Sequence, residues 1–265
     1  MKLGFLMFRT YYKFVNLNRE TEQEIITYLM KKVNWMTKVE GKYNLTTMIF
    51  TETVYEYEEF IDEFYKRFGN YILTSWVSIM TKLRHYKRGY LLNIKNDKEI
   101  VLKTENVDRK LDEYEKEILR IVKTNARIKY VDLAQRIGLK EQTVSEKIRK
   151  LEERKIILGY TPFLDINRLN KSYFKVHFSL KNYNEDNYTS LLQYAKEHPN
   201  IVYVVEAIGG DDFEIEAQVN NNKELYELIN DIKINFNDLI SDYYFMEYTN
   251  EYKFEYLPKK ITESK

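Results

Sequence analysis

Residues 111–160 read LDEYEKEILRIVKTNARIKYVDLAQRIGLKEQTVSEKIRKLEERKIILGY. Tyr114, Ile118, Ile121 and Val122 fall three and four apart, the spacing of one apolar helix face, and predict a helix over 112–124. Asp112 stands where an N-cap belongs, with Glu113 and Glu115 in the first turn, where acidic side chains meet the positive end of the helix dipole. Val131, Leu133, Ala134 and Ile137 mark a second helix, Tyr130–Ile137, and Gly138 supplies the turn position that needs positive φ. A third, Glu141–Arg154, follows after only Leu139 and Lys140. One helix packed on two short ones that share a glycine turn is the helix-turn-helix plan. Ile156–Phe163, with Gly159 between apolar runs, fits a two-stranded wing.

The third helix carries the chemistry. Val144, Ile148 and Leu151 line its inner side, and Gln142, Glu146, Arg149 and Glu153 form the opposite one, flanked by Ser145 and Lys150. Gln142, Thr143, Ser145, Arg149 and Lys150 are side chains that reach base edges or phosphates of double-stranded DNA. Lys129 and Tyr130, at the start of the second helix, suit a phosphate contact. Glu146 and Glu153 oppose binding unless neutralised, and Arg149 and Lys150 stand three and four residues from Glu146. Weak affinity per chain, offset by dimerisation, is the expectation.

Outward from this head the chain repeats itself. With an offset of 168, Val33/Ile201, Trp35/Tyr203, Gly41/Gly209 and Leu45/Phe213 coincide, then Tyr57/Leu225, Phe60/Leu228, Phe64/Ile232, Phe68/Phe236 and Ile72/Ile240. Each copy reads strand, helix, strand, strand, helix, strand, so the predicted fold is α+β: a winged helix-turn-helix between two ferredoxin-like (β-α-β-β-α-β) domains. The expected division is 1–92 for the first αβ domain, 93–110 for a linker or β-extension, 111–165 for the head, 166–258 for the second αβ domain and 259–265 for a frayed, charged tail. Because the strands carry large residues in both phases, the sheet face away from the helices must also be covered, by the two sheets packing face to face or by a second chain.

The chain of 265 residues is 44% hydrophobic and 31% charged, which suits a globular protein with two or three small cores. Its net charge of +1 hides a gradient: +4 over residues 1–92, +1 over 93–110, +3 over 111–160 and −7 over 161–265. Only the first part suits a phosphate backbone. The absence of cysteine excludes disulfides, thiolate nucleophiles and zinc fingers. His85, His177 and His198 lie far apart and Asp211–Asp212 lacks a third ligand, so neither metal nor cofactor is expected. The start MKLGFLMFRTYYKF is broken by Arg9 and Lys13, and apolar runs are short, so no membrane span or secretory signal is expected and the location is read as cytoplasmic, on the nucleoid.

Residues 111–165 resemble the N-terminal domain of the Lrp/AsnC (feast/famine) regulators, and the repeat that follows resembles their ligand-responsive αβ domain. The resemblance implies a transcription regulator, not an enzyme, responsive to an amino acid or similar small molecule, with αβ domains that pair through their sheets into homodimers or higher oligomers. The family's glycine-x-x-aspartate turn corresponds to Gly209 and Asp212, followed by Phe213; the first copy keeps Gly41 but has Asn44. These five are the effector candidates. Three departures stand out: Lys140 replaces the serine N-cap, Lys147 an arginine, and Lys155 the glycine before the wing. Two other readings stay open. Some similar proteins are haem-pathway decarboxylases, and His85 beside Arg84, Tyr86, Lys87 and Arg88 could hold propionates. A nonenzymatic adaptor that has lost DNA is the other.

Overall fold

The computed structural model describes residues 2–95, 98–103 and 107–262. Strand β1 (Leu6–Phe14), helix α1 (Arg19–Lys32), β2 (Trp35–Glu40), β3 (Leu45–Thr51), α2 (Val54–Phe68) and β4 (Ile72–Tyr86) form the first unit. After β5 (Glu99–Lys103) come α3 (Glu113–Val122), α4 (Tyr130–Ile137) and α5 (Glu141–Glu153). The second unit is β6 (Ser172–Leu180), α6 (Glu185–Glu197), β7 (Ile201–Ile208), β8 (Phe213–Val219), α7 (Asn222–Asn235) and β9 (Ile240–Phe254), and α8 (Lys259–Thr262) follows. Strands β3 and β8, and likewise β4 and β9, stand 168 residues apart along their whole length.

The two sheets do not pack face to face. They join edge to edge, in the antiparallel order β1-β3-β2-β9-β6-β8-β7-β4, and β4 returns to β1, closing an eight-stranded ring. The long strands make the joins. The first half of β4 pairs with β1 of its own unit and its second half with β7, just as β9 pairs first with β6 and then with β2. The alternation of each strand then sorts side chains between two environments. Outward-facing Phe213, Ile215, Ala217 and Val219 meet Leu225, Leu228, Ile229 and Ile232 of α7, while Phe8, Tyr12 and Leu45 meet the α2 row Tyr57, Phe60, Phe64 and Phe68. The inward residues Arg9, Tyr11, Lys175, His177, Glu214 and Glu216 fill the ring.

Within 93–110, β5 pairs with Lys82–Tyr86, its apolar centre Ile100–Leu102 continuing the line of β1 beside β4; residues 96–97 and 104–106 lie outside the described ones. Two expectations fail. Ile156–Phe163 holds no strand, so the wing's hairpin is missing; its turn lies close against β5, where a Cβ on Gly159 would meet Ile100 at 2.7 Å. The tail does not fray from Lys259, because Lys259–Thr262 is a short helix whose Ile261 joins Leu257 under the helical head; residues 263–265 lie outside the described ones. No helix among the described residues is long and apolar enough to cross a membrane.

Candidate nucleic-acid interface and barrel interior

The head holds together around Ile118, Leu119, Leu133, Ala134, Val144, Ile148 and Leu151. Asp112 and Glu115 close a capping box at the start of α3, satisfying two backbone N–H groups reciprocally. Gly138 adopts φ 72°, as the turn requires, and α5 begins on Lys140 with no side-chain cap. Lys147 pairs with Asp112, tying α5 to α3. Lys155 sits at φ 58°, a conformation that a glycine takes without strain.

The head is also anchored to the ring. Arg154 binds Asp108 at 2.8 and 3.0 Å and Glu115 at 3.1 Å, Arg109 reaches Glu52 at 3.3 Å, and Leu111, Ile156, Leu257 and Ile261 belong to the apolar clusters of both parts.

Val144, Ile148 and Leu151 are buried as their spacing requires, and the candidate contacts divide by exposure. Gln142, Arg149 and Lys150 on α5 are exposed, Thr143 and Ser145 partly so, and Lys129 and Tyr130 lie exposed at the start of α4. Arg149 does not neutralise Glu146. It donates to Glu153 at 2.7 Å, one turn on, and Glu146 instead accepts from Gln142 at 3.4 Å. The outward side of α5 therefore presents paired charges that solvent reaches freely, the kind a phosphate can displace.

The effector candidates are brought close to the ring but are spent on the fold. Asp212 accepts the Leu180 N–H at 2.7 Å, and Asn44 does the same for Phe14 at 2.9 Å, so each fastens the end of its unit's first strand. Phe213 is fully buried under α6 and α7. Gly41 and Gly209, at φ 134° and 73°, bring the two hairpins against the other unit's long strand; an added Cβ would meet Phe245 O at 3.1 Å and Val77 O at 3.3 Å.

What the linear reading missed is the network inside the ring. Arg9 donates to Glu214 at 2.6 Å, Lys175 lies 3.0 Å from the other Glu214 oxygen and 3.2 Å from Glu216, and Tyr173 and Tyr248 bond Glu216. Burial alone would raise the Glu214 pKa, but Arg9 and Lys175 hold it well below the usual carboxylate range. His177 stacks on Tyr244 and its Nδ1 meets Asp211 at 2.7 Å; burial lowers its pKa despite that carboxylate. His177, Asp211 and Glu214 offer ligand atoms within 4.8 Å of one another. Arg9 and Lys175 already neutralise Glu214, so a cation there would meet two positive charges. The signal was the alternation itself, since Glu214, Glu216 and Gln218 fall in one phase of β8 opposite Arg9 and Lys175.

At the far end of the ring, His85 stacks on Tyr203 and burial takes its pKa down to about 4. Arg84 is held by Glu206 at 2.9 Å and Glu99 at 3.2 Å, and Arg88 by Gln218 at 3.1 Å. The Trp35 indole donates to Glu251 at 2.7 Å where β2 meets β9, on an exposed part of that join.

A winged helix-turn-helix DNA-binding profile matches residues 111–157. The HTH-type transcriptional regulator FL11 of Pyrococcus horikoshii is 30% identical over 115 residues, 43% of this chain and 75% of that protein. The fold is similar to that of a transcriptional regulator of Neisseria meningitidis solved with L-Met, at TM-score 0.51 and 18% identity over 56% of this chain and 97% of that one. It is similar over a longer span to the siroheme decarboxylase NirDL, at TM-score 0.64 and 14% identity over 98% of this chain and 77% of that one. With its helical head, the αβ unit that follows and a regulator matched along three quarters of its length, the chain belongs to the Lrp/AsnC family of transcription regulators.

Proposed function

We propose that this protein is a DNA-binding transcription regulator of the cytoplasm, not an enzyme, in which α5 enters the major groove of double-stranded DNA. The observation that carries the reading is the outward side of α5, where Gln142, Arg149 and Lys150 are exposed on a helix whose inner side is locked by Val144, Ile148 and Leu151. Thr143 and Ser145 complete that side, and Lys129 and Tyr130 contact the flanking phosphate. The division into two αβ domains around one head is part of the same proposal, with the αβ domains pairing chains and sensing a small molecule such as an amino acid. One chain offers one head, so a two-fold site requires two chains.

Selection from random duplex DNA at fixed salt tests this. An enriched sequence is expected, and a palindrome supports a two-chain reader. No enrichment at low salt favours the adaptor.

A decarboxylase-like reading is favoured by one observation, the similarity to NirDL across nearly the whole chain. Against it, Arg84 is occupied by two glutamates and His85 is stacked, half-buried, on Tyr203, which leaves that cluster little to offer a propionate. A shifted absorbance band on adding an iron tetrapyrrole would revive it.

A further inference from the structure

The hairpin between β2 and β3 lays Lys42 across three aromatic rings. Its Nζ lies 4.2 Å from the centroid of Tyr244, 5.3 Å from that of Trp76 and 5.6 Å from that of Tyr43. The rings come from both units: Tyr43 from the hairpin, Trp76 from β4 and Tyr244 from β9. Beneath them the Tyr244 hydroxyl donates to Asp211 Oδ2 at 2.8 Å, and His177 Nδ1 meets the same oxygen at 2.7 Å. The Tyr11 hydroxyl and His177 Nε2, both buried in this layer, have no hydrogen-bond partner. An ammonium is drawn to the face of an aromatic ring, and several faces with a carboxylate behind them form a cage for one.

We propose that this cage is a binding site for a small molecule bearing one ammonium on an unbranched alkyl chain, and that Lys42 is its tethered occupant when no ligand is present. Lys42 is exposed and lies between the strands of its hairpin, so its side chain can leave without unpacking a core. What it places over the rings, a primary ammonium on four methylenes, defines the ligand's class. Lys13 bonds the Gly41 carbonyl at the same hairpin at 3.3 Å, and its charge disfavours a second ammonium on the ligand. Because the rings belong to both units, occupancy bears on how the hairpin sits against β4 and β9. The site rests on the effector reading only for what its occupancy does to DNA binding.

The experiment uses the full chain without DNA. Trp35→Phe leaves Trp76 as the single tryptophan, and its emission is followed on adding n-butylammonium, with n-butanol as the uncharged control. A saturable change with the amine alone is expected. Lys42→Ala, which removes the internal competitor, tightens binding roughly tenfold, about the strength of one such contact. Tyr244→Phe keeps the response and Tyr244→Leu loses it; calorimetry on the otherwise unsubstituted chain repeats the comparison if Trp35→Phe does not fold. No saturable change in either the Trp35→Phe protein or its Lys42→Ala double variant, or an equal response to n-butanol, overturns the proposal. Amine binding that leaves DNA affinity unchanged removes the effector reading and keeps the cage.

Discussion

Two Arg–Glu pairs of nearly equal length do opposite things in this molecule. Arg9–Glu214, at 2.6 Å, lies inside the ring with both side chains at most 3% exposed, while Arg149–Glu153, at 2.7 Å, lies on α5 with both near 60% exposed. Distance does not distinguish them; solvent does. Water solvates either partner of the α5 pair when the other leaves, so that pair adds little to stability and its arginine is available to a ligand. Inside the ring nothing replaces the lost partner, and Lys175 would be left beside Arg9 without the shared carboxylate. The first pair fastens the two units; the second is held in reserve.

The largest expected effect comes from breaking the buried pair. Glu214→Gln should lower unfolding free energy by about 3–5 kcal/mol in urea titrations, whereas Arg9→Met, Lys175→Met, Glu214→Leu and Glu216→Gln together, which also remove the charge Lys175 would otherwise leave unpaired on Glu216, should recover most of the loss. A Glu214→Gln protein as stable as the parent would mean that the ring interior is wetter than its burial implies.

Arg149→Ala should cost about 1–3 kcal/mol of DNA affinity at the selected site and move stability by less than about 0.5 kcal/mol. A change in unfolding midpoint of the size expected for Glu214→Gln would erase the contrast.

Acid sharpens it further. The folded pKa of His85 is about 4, below the ordinary 6.5, so from pH 6.5 downward the unfolded chain takes up a proton that the folded one refuses. Stability then falls with pH by at most about 1.4 kcal/mol per unit for this group, and the lowered values of His177 and His198 act in the same direction. The contribution of Glu214, whose folded pKa is depressed, is still whole at pH 5 and is lost only as pH falls through that folded value. Urea midpoints at pH 7 and pH 5 should therefore draw closer in His85→Phe and stay equally far apart in Arg149→Ala.

The smallest effects belong to the head. Lys140→Ser supplies the missing cap of α5 and should add about 1 kcal/mol. Glu153→Ala should release Arg149 and tighten DNA binding by under about 1 kcal/mol, a gain that disappears at high salt.

The head and the element order were legible in the chain because both depend on local periodicity. The α2 range Val54–Phe68 and the strand Phe213–Val219 follow from spacing alone, and Gly138 announced its own turn. What spacing could not supply was partnership across distance. The repeat register placed Gly41 opposite Gly209, yet it did not say that each hairpin would press on the other unit's long strand, or that the sheets would meet by their edges. For the same reason spacing offers Asp212 as a ligand contact, although its nearest task is to hold a backbone N–H on β6, and leaves the Asp211–Asp212 pair without a third partner, although Asp211 meets His177 across the strands. The hairpin expected at Ile156–Phe163 failed because apolar runs flanking a glycine also suit a segment that packs on a neighbour, here Ile100 of β5.

The ring is closed by one chain, with β4 and β9 each crossing from their own unit to the other. A ring built from two separate chains obeys mass action and comes apart on dilution. Here the halves are tethered, so their union has no concentration term: a single molecule in a cell carries a complete ring and a complete aromatic cage. Under the proposed two-chain reading of DNA, only the gathering of reading heads would remain sensitive to abundance, which would separate what the protein can bind from how many copies must be present to act on it.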